Sequence, residues 1–432
     1  MIASAIGRIF LTAYNEKYKR NYTAKEFFVE VYFPLFFDHE KYMQWVTNSP
    51  FVQGIKKGCP PSKEGRQERL KTFLEKVESQ DADASIAIGY PSLDILATTS
   101  GQLTTMNLPL EEEDVFLSWI GSALGIGVQG GFSILFDDPE LLLHLFEGWQ
   151  LYRENLNTQV SLRGNQINTW NGQWIAHRYE RRLYREDDPV ADFHPFQATK
   201  EGMEVKICSW TEVLFAVSRH FDRGQLVGYV YNLGQTNSTV GFIPFVLVPF
   251  RRMSELYEKL FGELMPQRAE TLFGTAFGFA RACQRGVIGL EALQPKEIKE
   301  YMDKGKVPRY KADGAEEDKI SFNIYQTWLV AMLNNDDLFS TARDVAEELC
   351  RYMAGAAKGR TDRRNKVENL LGAVNKKAFI ESLVPLIKDV SDALPFEELG
   401  KRVHYLPADN VPYFLTLVRF QYAIVSKNNN NE

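Results

Sequence analysis

RGNQINTWNGQWIAHRYERRLYR, Arg163 to Arg185, is the stretch from which the chain is best read. Five arginines, Arg163, Arg178, Arg181, Arg182 and Arg185, stand against a single acid, Glu180. Between them lie the carboxamides Asn165, Gln166, Asn168, Asn171 and Gln173 and the rings of Trp170, Trp174, Tyr179 and Tyr184. A guanidinium fork matches phosphates and guanine edges, a carboxamide matches an adenine edge, and a flat ring stacks on a base. The same residues also suit a twisted hairpin whose tryptophans are core and whose arginines are a solvated face.

Outside this stretch the composition is that of an ordinary globular protein. The chain has 432 residues, enough for two or three domains and a large core. Its formal net charge of -6 argues against a protein that coats nucleic acid with its whole surface, so any such binding is local. Cys59, Cys208, Cys283 and Cys350 contain no CxxC pair, which disfavours metal clusters and disulfide frameworks and fits a reducing cytoplasm. The N-terminus reads as an amphipathic helix rather than a signal peptide, and runs such as Val240 to Phe250 are too short and proline-broken to span a membrane.

Along the chain, a helix is expected from Ile2 to Lys19, and Thr23 to Glu26 is a capping box ahead of an aromatic helix bearing Phe27, Phe28, Tyr32, Phe33, Phe36 and Phe37. Ile86 to Leu96 reads as a strand, and Glu111 to Asp114 as an acidic helix start. Strands are expected at Ser133 to Phe136, Glu204 to Trp210, Leu226 to Asn232 and Val240 to Val248, with a helix from Pro139 to Leu151 and a polar turn at Gly234 to Ser238. Beyond Arg251 the spacing is helical only, over five or six helices, with a charged loop at Lys304 to Lys319. The fold class is therefore α+β. A mixed α/β body at 1–250 is followed by an all-helical bundle at 251–427 and a disordered tail at 428–432.

Three motifs bear on function. Gly125 to Gly130 matches GxGxxG, but a helix precedes it and a strand follows, the reverse of a dinucleotide fingerprint, so it reads as a close-packed helix-to-strand turn. Glu204-Val205-Lys206, with Asp187, Asp188 and Asp192 upstream, has the residue types with which nuclease folds bind a metal and activate water. A second basic run, Arg351 to Lys377, includes Lys358, Arg360, Arg363, Arg364 and Lys366, and GAAKGRTDRRNK within it reads as a basic loop suited to phosphates, or as a solvated linker. The six histidines show no ligand spacing and no nucleophile elbow occurs, so no metal, cofactor or catalytic group is expected.

With this layout, the chain resembles the large subunits of type I CRISPR surveillance complexes (Cascade). The similarity is prompted by GIGVQGGFSILF (Gly125 to Phe136), EGWQLYRENL (Glu147 to Leu156) and QINTWNGQW (Gln166 to Trp174). The paired zinc-binding cysteines of some branches are missing here. The resemblance implies a protein that is not an enzyme: its body recognises the motif beside a double-stranded DNA target and its bundle lies along the displaced strand. Guide RNA would be held by partner subunits and cutting done by a recruited nuclease. On that reading Asn165, Gln166, Asn168, Asn171 or Gln173 would read base edges, and Trp170 or Gln173 would act as a wedge. Arg178, Arg181, Arg182 and Arg185 would hold phosphates, and Lys358, Arg360, Arg363, Arg364 and Lys366 would cradle the displaced strand. Two other readings stand beside it: a metal-dependent nuclease using Glu204 and Lys206, and a structural adaptor without nucleic-acid contact.

Overall fold

The Arg163–Arg185 stretch does not form a hairpin: Ile167–Arg178 is an α-helix. Ile167, Trp170, Asn171, Gly172, Trp174, Ile175 and His177 are all buried on it, so neighbours cover most of its circumference. A helix packed on most sides shows no polar stripe, which is why its pattern could pass for something else. The structure is a computed structural model and describes residues 1–47, 49–56, 59–79, 85–90, 111–233, 239–262, 266–355, 359–390 and 393–428. With 58% helix and 9% strand and an antiparallel sheet, it is an α+β protein.

The sheet beside this helix has four strands in the order β1 (Ile126–Val128), β2 (Phe132–Phe136), β5 (Gln225–Asn232), β6 (Thr239–Val246), and every neighbouring pair is antiparallel. Strands β3 (Phe196–Thr199) and β4 (Gly202–Val205) form a separate hairpin. The GxGxxG run is thus not a helix-to-strand turn. It is β1 plus the turn into β2, where Gly130 (φ 90°) and Gly131 (φ 76°) take left-handed conformations that side chains rarely adopt. Gly127 serves a different purpose. A Cβ there would lie 2.8 Å from the Asn168 carbonyl, and one on Gly172 would lie 2.5 Å from the Gly127 oxygen. The helix and β1 therefore meet backbone to backbone.

Elsewhere in this unit, Ile2–Tyr18 packs on Glu112–Ala123 at a second pair of glycines. A Cβ on Gly7 would lie 2.2 Å from the Leu117 oxygen, and one on Gly121 would lie 1.8 Å from the Ala3 oxygen. The Thr23–Glu26 capping box is formed, and the helix after it runs Ala24–Phe27, widens into π turns over Phe28–Tyr32 and resumes over Phe33–Phe36. The widening sits just before Pro34, which has no N–H for the regular ladder. All six aromatics expected on this face are buried, with Phe37 stacked on Phe51 at 4.3 Å and Phe36 edge-on to Trp149 at 4.9 Å.

The chain divides into two units, Met1–Leu247 with Phe279–Ile288, and Val248–Gly278 with Gly289–Glu432. The helical region thus sends one segment back to the first unit. Ile288 exchanges backbone hydrogen bonds with Pro244 and Val246 of β6, and Phe279 packs on Phe132 and Trp210. Taken by itself, the second unit is built from the helices Val248–Phe261, Glu316–Leu333, Asp337–Ala354, Arg360–Leu371, Lys376–Ile387, Leu394–Tyr405 and Val411–Asn428, with shorter ones at Pro266–Thr271 and Ile298–Asp303. No helix among the described residues is long and apolar enough to cross a membrane.

Several expected boundaries move. Residues 85–90 are turns rather than a strand, and 91–96 lie outside the described residues. In Glu204 to Trp210 the strand stops at Val205, because Ser209 caps a helix over Trp210–His220 with a full capping box to Glu212. The Lys304–Lys319 loop ends early, at the acidic helix start Glu316. The GAAKGRTDRRNK loop is largely the helix Arg360–Leu371, entered through Gly359 at φ 84°. The turn at Gly234 to Ser238 and the tail beyond Asn428 lie outside the described residues.

The glycine contacts make a direct prediction. Gly127→Ala or Gly121→Ala forces backbone apart rather than moving a flexible side chain, and is expected to destabilise the protein by about 1–3 kcal/mol. Gly224→Ala, where a Cβ meets nothing within 4 Å, is the matched control in urea unfolding.

Candidate nucleic-acid interface

The carboxamides of Asn165 to Gln173 split sharply once placed. Asn171 is fully buried and donates from Nδ2 to the carbonyls of Ala123 (2.7 Å) and Gly125 (2.9 Å). Asn168, one helical turn earlier, donates to Ser122 (3.2 Å) and to the same Gly125 oxygen (2.9 Å). Ser122 and Ala123 carry carbonyls of the last turn of the Glu112–Ala123 helix, where the helical ladder runs out, and Gly125 lies just beyond it. The N-x-x-N pair caps that end from outside. Gln166 accepts from the Val205 N–H at 3.2 Å, joining the helix start to β4. Gln173 is half-buried, and its hydrogen bond to the Cys208 thiol opposes the larger effect of burial, which raises that thiol's pKa well above the ordinary value.

These placements correct the expectation for most of the proposed base readers. Asn171 has no edge to offer a ligand, and the amides of Asn168 and Gln166 are already committed to backbone. Trp170 cannot act as a wedge: it is fully buried, stacked on Tyr152 at 5.0 Å, and donates from Nε1 to Gly148 at 2.8 Å. Asn165 alone among the five carboxamides is exposed, held at φ 60° just ahead of the helix with its N–H donated to Tyr42 at 2.7 Å.

The arginines divide as well. Arg178 is turned inward, 15% exposed, with Nε 3.4 Å from Glu147 and its guanidinium 4.2 Å over the Tyr184 ring. Arg181, Arg182 and Arg185 are exposed, in the chain just past the helix. Arg181 donates to the Arg219 carbonyl, and Arg185 makes a loose 3.8 Å pair with Asp188. Glu180, the lone acid of the stretch, is buried and pairs with Arg219 at 3.0 Å. Arg163 is half-exposed and 3.6 Å from Glu204. The surface-facing part of the stretch is thus Arg163 with Asn165 at its start and Arg181, Arg182 and Arg185 at its end.

In the second unit, the basic run lies along a helix rather than a loop. Arg360 is exposed, Arg364 pairs with Glu368 at 2.7 Å, and Lys366 pairs with Asp362 at 2.7 Å and Asp389 at 3.2 Å. The Asp362 hydrogen bond, ahead of that to Asp389, raises the Lys366 pKa above its ordinary value. Arg363 is half-buried, and Lys358 lies outside the described residues.

Glu204 and Lys206 do not come together as a metal centre. Glu204 accepts from the Gln197 amide at 2.9 Å across the β3–β4 hairpin, and Lys206 donates to the His194 carbonyl at 2.9 Å. Among the described residues, the grouping of three potential metal ligands is elsewhere, at Glu140, His144 and His220. Those three come from two helices far apart in sequence, so no spacing rule could have found them. Arg219, brought beside Glu180 from the next helix, is missed for the same reason. Comparison of the chain with family models, with curated proteins and with solved structures finds no match.

The split among the amides is open to measurement. Asn171→Ala takes the side-chain donor from the buried Ala123 carbonyl and one of two from that of Gly125, and is expected to lower stability by about 1–3 kcal/mol. Asn165→Gly keeps the left-handed backbone and is expected to stay within about 0.5 kcal/mol of the parent in the same denaturant titration.

Proposed function

We propose that this protein is a non-catalytic, nucleic-acid-binding large subunit of a type I CRISPR effector complex, acting in the cytoplasm on double-stranded DNA. The observation that carries this reading is the exposed Arg181, Arg182 and Arg185 edge on an α+β unit, next to a helix whose own polar groups are occupied by the fold. Exposed guanidiniums are suited to phosphate, where planar forks bind in a bidentate manner, and a phosphate can compete with the surface bonds that Arg181 makes to the Arg219 carbonyl and Arg185 to Asp188. The order of the units, α+β and then helical, supports the same reading.

In this proposal the arginines hold the duplex beside the target, and Asn165 is the one carboxamide left to touch a base edge. The helix bearing Arg360, Arg364 and Lys366 takes the displaced strand. The Arg364–Glu368 pair is exposed and worth little, so a phosphate can replace that carboxylate, whereas Lys366 is more enclosed and held by Asp362 and Asp389. Guide RNA is held by partner subunits, and strand cutting belongs to a recruited nuclease.

The test is DNA binding by the assembled complex as a function of salt. Each phosphate contact contributes about -0.9 to the slope of log K against log salt, so Arg181→Ala with Arg182→Ala should make that slope shallower by about two and weaken all duplexes alike. Asn165→Gly should leave the slope and reduce preference for the flanking motif, by up to about 1–3 kcal/mol per base contact. An unchanged slope in the double variant removes the proposal. A chain that never co-purifies with RNA or partner subunits supports a structural adaptor instead.

A further inference from the structure

Glu140 and His144 lie four residues apart on the Pro139–Thr158 helix, and therefore on one face of it. His220 ends the Trp210–His220 helix and lies against that face. One ligand atom from each of the three residues falls within 4.8 Å of the others. The His220 Nε2 lies 2.8 Å from Glu140 Oε1, and the rings of His144 and His220 meet edge-on at 5.5 Å. Two further features resemble the outer shell of a metal site. The Tyr179 hydroxyl lies 3.0 Å from His144 Nδ1 and fixes that ring, while the Tyr179 ring stacks on His220 at 4.0 Å with a 4° tilt. Ring orientation by an outer hydrogen bond is what ligating histidines generally need.

From this arrangement we propose a binding site for a divalent transition metal, zinc by chemistry, held by Glu140, His144 and His220. Two imidazoles and one carboxylate supply borderline nitrogen and hard oxygen donors with no thiolate, which suits Zn²⁺ over Cu(I) and over Mg²⁺ or Ca²⁺. Three protein ligands leave the fourth tetrahedral position to water, and Glu140 is exposed, so an ion can enter from solvent. The surrounding charge permits a dication. Arg178, the cation acting on His144, is paired with Glu147, and Arg219, the neighbour of His220, is paired with Glu180. Bound metal would tie the Pro139–Thr158 helix to the end of Trp210–His220. That end carries the Arg219 carbonyl to which Arg181 donates.

The experiment is titration of the EDTA-stripped full-length chain with ZnCl2, followed by calorimetry and by thermal unfolding, with MgCl2 and CaCl2 as comparison ions. The expected result is one zinc per chain that raises Tm, no comparable effect of Mg²⁺ or Ca²⁺, and a tetrahedral cobalt spectrum when Co²⁺ replaces zinc. Glu140→Gln and His220→Gln are expected to abolish the Tm rise while leaving the stripped protein folded by circular dichroism. Tyr179→Phe is expected to weaken zinc about tenfold or more through loss of its bond to His144. No zinc uptake, or uptake unchanged in Glu140→Gln and His220→Gln, overturns the site and leaves Glu140–His220 as an ion pair only. If His220→Gln does not fold, Glu140→Gln at the exposed position decides the matter alone.

Discussion

The Ile167–Arg178 helix and β1 approach so closely that neither Gly127 nor Gly172 has room for a side chain. Much of the first unit depends on that approach. It brings Asn168 and Asn171 within reach of the carbonyls at the end of the Glu112–Ala123 helix, which itself packs on Ile2–Tyr18 through Gly7 and Gly121. Two glycine contacts and two asparagines thus join three helices and a sheet edge, and the bulky side chains are left to fill the space around them. Close packing at backbone distance forgoes side-chain burial, and the hydrogen bonds that it permits offset that loss.

The same logic disposes of several other charged and polar residues. Arg153 is buried, and among the described residues its partners are backbone carbonyls. Its guanidinium donates to the carbonyls of Leu35 and Lys41, and burial lowers its pKa to about 10. Arg419 in the second unit does likewise for Leu371, Tyr301 and Ala373. A planar cation with five donors can satisfy several stray carbonyls at once, and the Lys41 ammonium with its three does the same for Leu156, Gln159 and Val160. Arg181, Arg182 and Arg185 differ from Arg153 and Arg419 in being exposed, although Arg181 too donates to a carbonyl, that of Arg219.

Element by element, legibility followed how local the deciding interaction is. The Thr23–Glu26 box, the strand over Leu226 to Asn232 and the long helices after Arg251 rest on capping and spacing within one segment, and they stand where those patterns place them. The Ile167–Arg178 helix and the fate of its amides depend on a partner 40 or more residues away, as Asn168 to Ser122 and Asn171 to Ala123 illustrate. Carboxamides that read bases and carboxamides that cap helices are the same chemical groups, and only burial tells them apart. The Glu140, His144 and His220 grouping is of the same kind: two of its residues lie about one turn apart on one helix, and the third arrives from a second helix.

By itself, the sequence determined the class and order of the parts: an α+β region first, helices after, an aromatic core and a concentration of arginine at Arg163 to Arg185. These follow from periodicity, capping and composition, which act over a few residues. Only the tertiary structure decided that the stretch is a helix, that Asn168, Asn171 and Trp170 belong to the interior, and that Phe279–Ile288 returns to the first unit. It also decided which arginines face solvent. Those outcomes turn on which carbonyls are left unpaired and which surfaces meet, and such quantities exist only once distant segments are in contact.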